Sequence, residues 1–312
     1  MSEMGPRRVG ASLLERAAEV YDFGAYVQAR SEVTPQPETE PKPTPAPIRQ
    51  AQPAPEPAPA LRTSVSQRAR VAIDREALAE NGLLVPGAPV GALAEEFRLV
   101  KRQLLLTARQ VKTADADRAR TVLVCSAQPN EGKTYCAVNL ALSMAAERDT
   151  EVLLVDADFA KPDVMGRLGL PDVRGLLDAL ADPALDVESL VVPTDVPQLS
   201  LLPAGTKVTG DTELLASART RAVIDQLLAA DPRRILIFDS PPALAASPAS
   251  VLALHVGQVM MVVRADRTSE GDLREAVAML DRCEHIQLVL NAVSFAPGGR
   301  RFGSYYGQEN AK

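Results

Sequence analysis

The chain has 312 residues, a formal charge of −6 and three cysteines. An acidic total offers no basic field for nucleic acid and speaks against a non-specific DNA binder. Cys125, Cys136 and Cys283 show no CxxC spacing, so they read as reduced, buried thiols rather than as a metal or redox centre.

No apolar core of signal-peptide length opens the chain. No window reaches the roughly 18 uninterrupted apolar residues that would span a bilayer. The nearest candidate, VLALHVGQVMMVV, is broken by His255, Gly257 and Gln258. A cytoplasmic protein is expected.

In chain order, residues 1–33 carry a short amphipathic helix over 12–30. Ser12 and Glu15 suit a capping box, and Leu13, Leu14, Ala17, Ala18 and Tyr21 fall at helical spacing. Such a piece suits docking better than independent folding. Residues 34–70 read as an extended linker, because proline recurs at nearly every second or third position up to Ala60. A core domain is expected over 71–296 and a polar, glycine-rich tail over 297–312.

Within the core, 91–113 has the helical spacing of Leu93, Phe97, Val100 and Leu104. Strands are predicted at 121–127, 151–158, 199–205, 234–240, 258–265 and 286–293, and helices at 132–147, 211–230 and 269–282. Near-continuous apolar strands separated by helices imply an α/β fold with a mostly parallel sheet covered on both faces.

The sharpest local feature is AQPNEGKT, Ala127 to Thr134, lying between the strand TVLVCS and a helix. Strand, loop and helix in that order form a P-loop: backbone amides curl around phosphates and the helix N-terminus adds a favourable dipole. Gln128, Pro129, Asn130, Glu131, Gly132, Lys133, Thr134 and Tyr135 are the expected ATP-binding segment. Lys133 would reach the phosphates and the Thr134 hydroxyl would ligate Mg²⁺. Two further strands end in acid: VLLVDAD in Asp156 and Asp158, ILIFDS in Asp239. In a parallel sheet those ends line the ligand crevice. Three converging carboxylates could hold Mg²⁺ and its waters and handle a proton. Read singly, each would only cap a turn.

The motifs AQPNEGKT, VLLVDADFAKP and ILIFDSPP resemble, in order and spacing, the Walker A, A′ and B motifs of the bacterial tyrosine kinases of exopolysaccharide synthesis. The likeness is closest to the stand-alone autokinases of PEP-CTERM/exosortase loci. The segments LLPAGTKVTGDTELLAS and HVGQVMMVVRADRT are similar to that subgroup too.

The resemblance implies a MinD/ParA-like P-loop NTPase fold, ATP and Mg²⁺ as cofactors, and tyrosine autophosphorylation between subunits of a homo-oligomeric ring. Lys133, Asp156, Asp158 and Asp239 would be catalytic, with Asp156 the better candidate for activating the tyrosine hydroxyl. Thr134, Asp158 and Asp239 would hold the metal, and Asn291 would lie near adenine. Tyr305 and Tyr306 would be the phosphoacceptors, and Glu95, Arg98 and Lys101 an oligomer interface in which Lys replaces a usual Arg. The implied partner is a membrane chain-length or co-polymerase protein of polysaccharide export.

Two alternatives stand beside this reading. A MinD/ParA-type ATPase would carry a lysine where Gln128 stands and an amphipathic membrane helix at its end, which the tail cannot form. A non-catalytic nucleotide-binding scaffold is the other. Asn130 stands where the kinase pattern has Gly, which puts the loop's geometry in question.

Overall fold

A computed structural model describes residues 69–293. The 12–30 helix, the proline-rich linker up to residue 68, and Tyr305 and Tyr306 lie outside the described residues.

The helices are α1 (Arg75–Glu80), α2 (Ala92–Val111), α3 (Lys133–Ala145), α4 (Val164–Arg167), α5 (Leu176–Ala181), α6 (Asp211–Leu215), α7 (Ala218–Ala230), α8 (Pro248–Ala253) and α9 (Glu270–Met279). The strands are β1 (Thr121–Ser126), β2 (Glu151–Asp156), β3 (Val192–Pro193), β4 (Leu199–Leu202), β5 (Arg234–Asp239), β6 (Gln258–Arg264) and β7 (Ile286–Asn291).

All seven strands join one sheet in the order β3-β4-β2-β5-β1-β6-β7. Every pairing is parallel except β3 with β4. Side chains of β1 alternate between two apolar layers. Leu123 and Cys125 face a layer with Leu227 of α7 and Leu252 of α8, whereas Val122 and Val124 face one with Leu104 of α2 and Leu140 of α3. Burial on both faces is why these strands read as unbroken apolar runs.

The expected helix over 211–230 is two helices. Ser217 leaves the helical path and caps α7 by accepting from the Arg219 amide. Both halves keep helical spacing, so periodicity alone does not reveal the break. The strand β3 was not expected either, because a two-residue strand containing a proline has no readable period. It sits at the sheet edge, where Val71 bonds to Pro193 and Asp195 and ties down the start of the domain.

Pairing matters most at one end of the sheet. Register puts Asp156 beside Asp239, at the carboxyl ends of β2 and β5, and Asp239 beside Val124 near that of β1. The phosphate loop leaves β1 at that same end. Topology therefore gathers residues that are more than a hundred positions apart.

Candidate active site

The loop is built by opposing demands on its backbone. After β1, the Ser126 hydroxyl donates to the Gln128 carbonyl at 2.8 Å. Asn130 then takes φ 64° and Gly132 φ 96°. Asn is the non-glycine residue that tolerates the left-handed region best, so Asn130 keeps the turn a glycine would make. The second φ favours glycine at 132, and a Cβ there would lie 2.1 Å from Asn291 Nδ2 and push that side chain off its bond to the loop.

The loop's carbonyls and its acid are tied outward. Arg264 Nη1 donates to the Asn130 carbonyl at 2.8 Å, and Asn291 Nδ2 donates to the Glu131 carbonyl at 2.9 Å. The Glu131 carboxylate is buried and accepts from the Gln128 amide and the Thr268 hydroxyl. The amides of Asn130 through Tyr135 have no acceptor among the described residues. Free amides curling into the start of α3 form an anion-binding nest. Beside it lies a cleft of about 320 Å³ lined by Gln128, Pro129, Asn130, Glu131 and Arg267.

Lys133, the first residue of α3, places Nζ 2.6 Å from Asp158 Oδ2, with both side chains largely buried. Asp158 stands just past β2. Asp156, the last residue of β2, is differently occupied. Its carboxylate accepts the backbone amides of Asp158, Asp163 and Val164 at 3.1–3.2 Å. Burial pushes its pKa up to about 6, against those three amides. It clamps the loop between β2 and α4, so its oxygens are poorly placed to reach a substrate hydroxyl.

Asp239 is fully buried, and neither carboxylate oxygen has a partner among the described residues. Burial pushes it up to about 7, while the Lys133 charge pulls the other way. No group of three acids, histidines or cysteines among the described residues is arranged to hold a metal. Asp156 is spent on backbone amides and Asp158 on Lys133. Magnesium binds through one or two carboxylates, waters and phosphate oxygens, so a smaller set suffices. The orphaned oxygens of Asp239 beside the Thr134 hydroxyl fit that smaller set.

Three other expected residues make contacts of their own. The Tyr135 side chain turns out of the cleft and donates its hydroxyl to the Gly82 carbonyl at 3.0 Å, leaving only its amide at the nest. Asn291 braces the P-loop. Lys101 is buried rather than displayed, bonding the Ser143 carbonyl at 3.0 Å and Glu147 at 2.6 Å. Steps of three residues drift by about 60° each around a helix, so Lys101 sits about 120° from Glu95. Glu95 and Arg98 pair at the surface of α2. We expect Lys101→Ala to cost about 1–3 kcal/mol in urea denaturation. Arg98→Ala should cost less than about 1 kcal/mol.

Sequence reading missed Arg264, Arg267 and Thr268. Their signal was the rule that located the acids: RADRT begins at the carboxyl end of β6.

A family model described as ParA, NUBPL iron-transfer P-loop NTPase, matches residues 118–296. The chain belongs to the ParA family of P-loop NTPases. Among its relatives, this ParA-family chain is 32% identical over 206 residues to the putative tyrosine-protein kinase EpsB of Ralstonia nicotianae, covering 65% of this chain and 27% of that protein. It is 29% identical over 194 residues to the tyrosine-protein kinase YwqD of Bacillus subtilis, covering 62% of this chain and 80% of that one. Among solved structures, the kinase domain of VpsO matches with 28% identity and a TM-score of 0.51, over 63% of this chain and 98% of that domain. Of these homologues of the ParA-family chain, YwqD is named a tyrosine-protein kinase, EpsB a putative one, and the VpsO domain a kinase domain. The chain spans only 27–31% of the length of the first relatives it matches.

Proposed function

We propose that this chain is an ATP-dependent protein-tyrosine autokinase that phosphorylates Tyr305 and Tyr306 between subunits and thereby regulates exopolysaccharide synthesis or export. The observation that carries the proposal is the union of a free-amide nest, Lys133 and two separately held acids in a chain homologous to tyrosine kinases.

In the proposed reaction the bond from the ATP γ-phosphorus to its bridging oxygen breaks and a bond to a tyrosine oxygen forms. The nest holds the phosphates and Lys133 neutralises the charge that builds on them. Magnesium, held by Thr134 and Asp239, would add electrostatic stabilisation of that charge. When Lys133 shifts from Asp158 to phosphate, Asp158 becomes free to accept the tyrosine proton. We assign this role to Asp158 rather than Asp156, whose oxygens are held by backbone amides. Asn291 acts by bracing the loop.

Finer assignments follow the sequence motifs. We place the chain with the PEP-CTERM/exosortase type and in the cytoplasm, recruited to the membrane by a chain-length or co-polymerase partner. No helix among the described residues is long and apolar enough to cross a membrane. The proposed recruitment rests on that partner, with residues 12–30 as its contact. We propose a ring of copies with Glu95 and Arg98 at the junction.

Purified protein given ATP and Mg²⁺ should gain phosphotyrosine on the tail. Tyr305→Phe with Tyr306→Phe should remove at least about nine-tenths of the label while sparing nucleotide affinity, because the acceptor lies outside the nest. Equal labelling of the double variant would refute the acceptor assignment. ATP hydrolysis without any phosphotyrosine would favour a ParA-type ATPase instead.

A further inference from the structure

The turn after β6 is locked to the phosphate loop, yet one of its two arginines has no task in that lock. Arg264 donates its amide to the Thr268 hydroxyl at 2.9 Å, and its carbonyl accepts the amides of Arg267 and Thr268 at 3.3 and 3.0 Å. Asp266 takes φ 59°, a left-handed position that closes the turn tightly. Two bonds then fasten the turn to the P-loop: Arg264 to the Asn130 carbonyl, and Thr268 to the Glu131 carboxylate. Arg267 therefore starts from a backbone fixed relative to the nest.

The Arg267 side chain is exposed, lines the cleft with Gln128, Pro129, Asn130 and Glu131, and meets no carboxylate or carbonyl among the described residues. Those four loop residues bring no positive charge of their own. The loop's inner side has Lys133, but that ammonium is shared with Asp158 and the field of Asp239. A nucleoside triphosphate brings several negative charges, and a guanidinium suits phosphate because it offers paired donors in a planar fork.

We propose that Arg267 is a nucleotide-contacting residue whose guanidinium closes onto a phosphate of the bound nucleoside triphosphate from the outer wall of the loop. The proposal rests on the nucleotide-binding reading of the P-loop and adds a second cation, supplied within the same chain, to it. The fixed turn limits the freedom lost on contact, so the side chain alone has to be ordered.

Titration of the full chain with ATP and Mg²⁺ by calorimetry tests it, at two salt concentrations, for the parent, Arg267→Ala and Arg267→Lys. We expect Arg267→Ala to bind about 10-fold more weakly, with a shallower loss of affinity as salt rises. Arg267→Lys should recover part of the affinity and the parent's salt dependence. Unchanged affinity in Arg267→Ala, or weakening with the parent's salt dependence, overturns the proposal. The second result would indicate a stacking or indirect contact. If the parent itself takes up no nucleotide, the P-loop reading fails first, and the two failures are told apart.

Discussion

Lys133→Met should lower phosphotyrosine formation by at least about 10²–10³-fold, because it removes the charge nearest the transferring phosphoryl group. It should also destabilise the fold. Lys133 is the cation paired with the buried Asp158 and the one that offsets Asp239. Breaking one side of a buried pair costs about 3–5 kcal/mol, since the partner charge is stranded. Loss of activity alone would therefore be ambiguous. The double variant Lys133→Met with Asp158→Asn resolves it: stability measured by urea denaturation should largely return, and phosphotyrosine should not. If stability stays as low in the double variant as in the single one, the pair does not hold the site as described.

Asp239→Asn should produce the opposite combination, a more stable protein that does not label. Asp239 is buried, and among the described residues neither of its oxygens has a hydrogen-bond partner, although the Thr134 hydroxyl lies close by; that arrangement opposes folding and suits a binding site. Its folded pKa is raised to about 7 from an ordinary value of 3.8. Between those values the folded state holds the proton more tightly than the unfolded chain. Its contribution to stability is full below about pH 4 and is lost as pH rises through about 7. At full ionisation that loss is on the order of 4 kcal/mol. Asp156, raised to about 6, adds a slope of the same sign that both proteins share. The variant should thus exceed the parent in stability at pH 8, and the gap should close towards pH 4–5. Labelling should fall at least about 100-fold at every pH. Parallel pH curves for parent and variant would rule out an ionising Asp239 in the folded core.

Where the inner residues of the candidate site stand is legible in the sequence; where its outer wall stands is less so. Lys133, Asp158 and Asp239 were legible because a parallel sheet sends the carboxyl ends of its strands to one crevice, and each stands at or just past such an end. Asp156 obeys the same rule, but its role depends on where three amides of the following loop point, which no spacing encodes. Lys101 is buried while Glu95 and Arg98 pair at the surface, because a three-residue repeat only approximates one face of a helix. Tyr135 was included through adjacency to Thr134, although neighbouring helical residues project about 100° apart. The split at Ser217 and the short strand β3 escaped because neither breaks the hydrophobic rhythm around it. Arg264, Arg267 and Thr268 stand at or just past the carboxyl end of β6 by the same rule, but no motif there marks a cation or a hydroxyl as part of a site.

Strand β7 has a further consequence for how copies can be arranged. Asn291, its last residue, touches the P-loop, so the chain departs for Tyr305 from the rim of its own cleft. Eleven residues lie between Val293 and Tyr305, and a chain of that length reaches at most about 40 Å. Any neighbour whose cleft receives that tyrosine must therefore lie within this radius of the donor's rim. Lengthening the tether with inserted glycine and serine residues would relax that geometric leash, and shortening it would cut off a neighbour that sits near its limit.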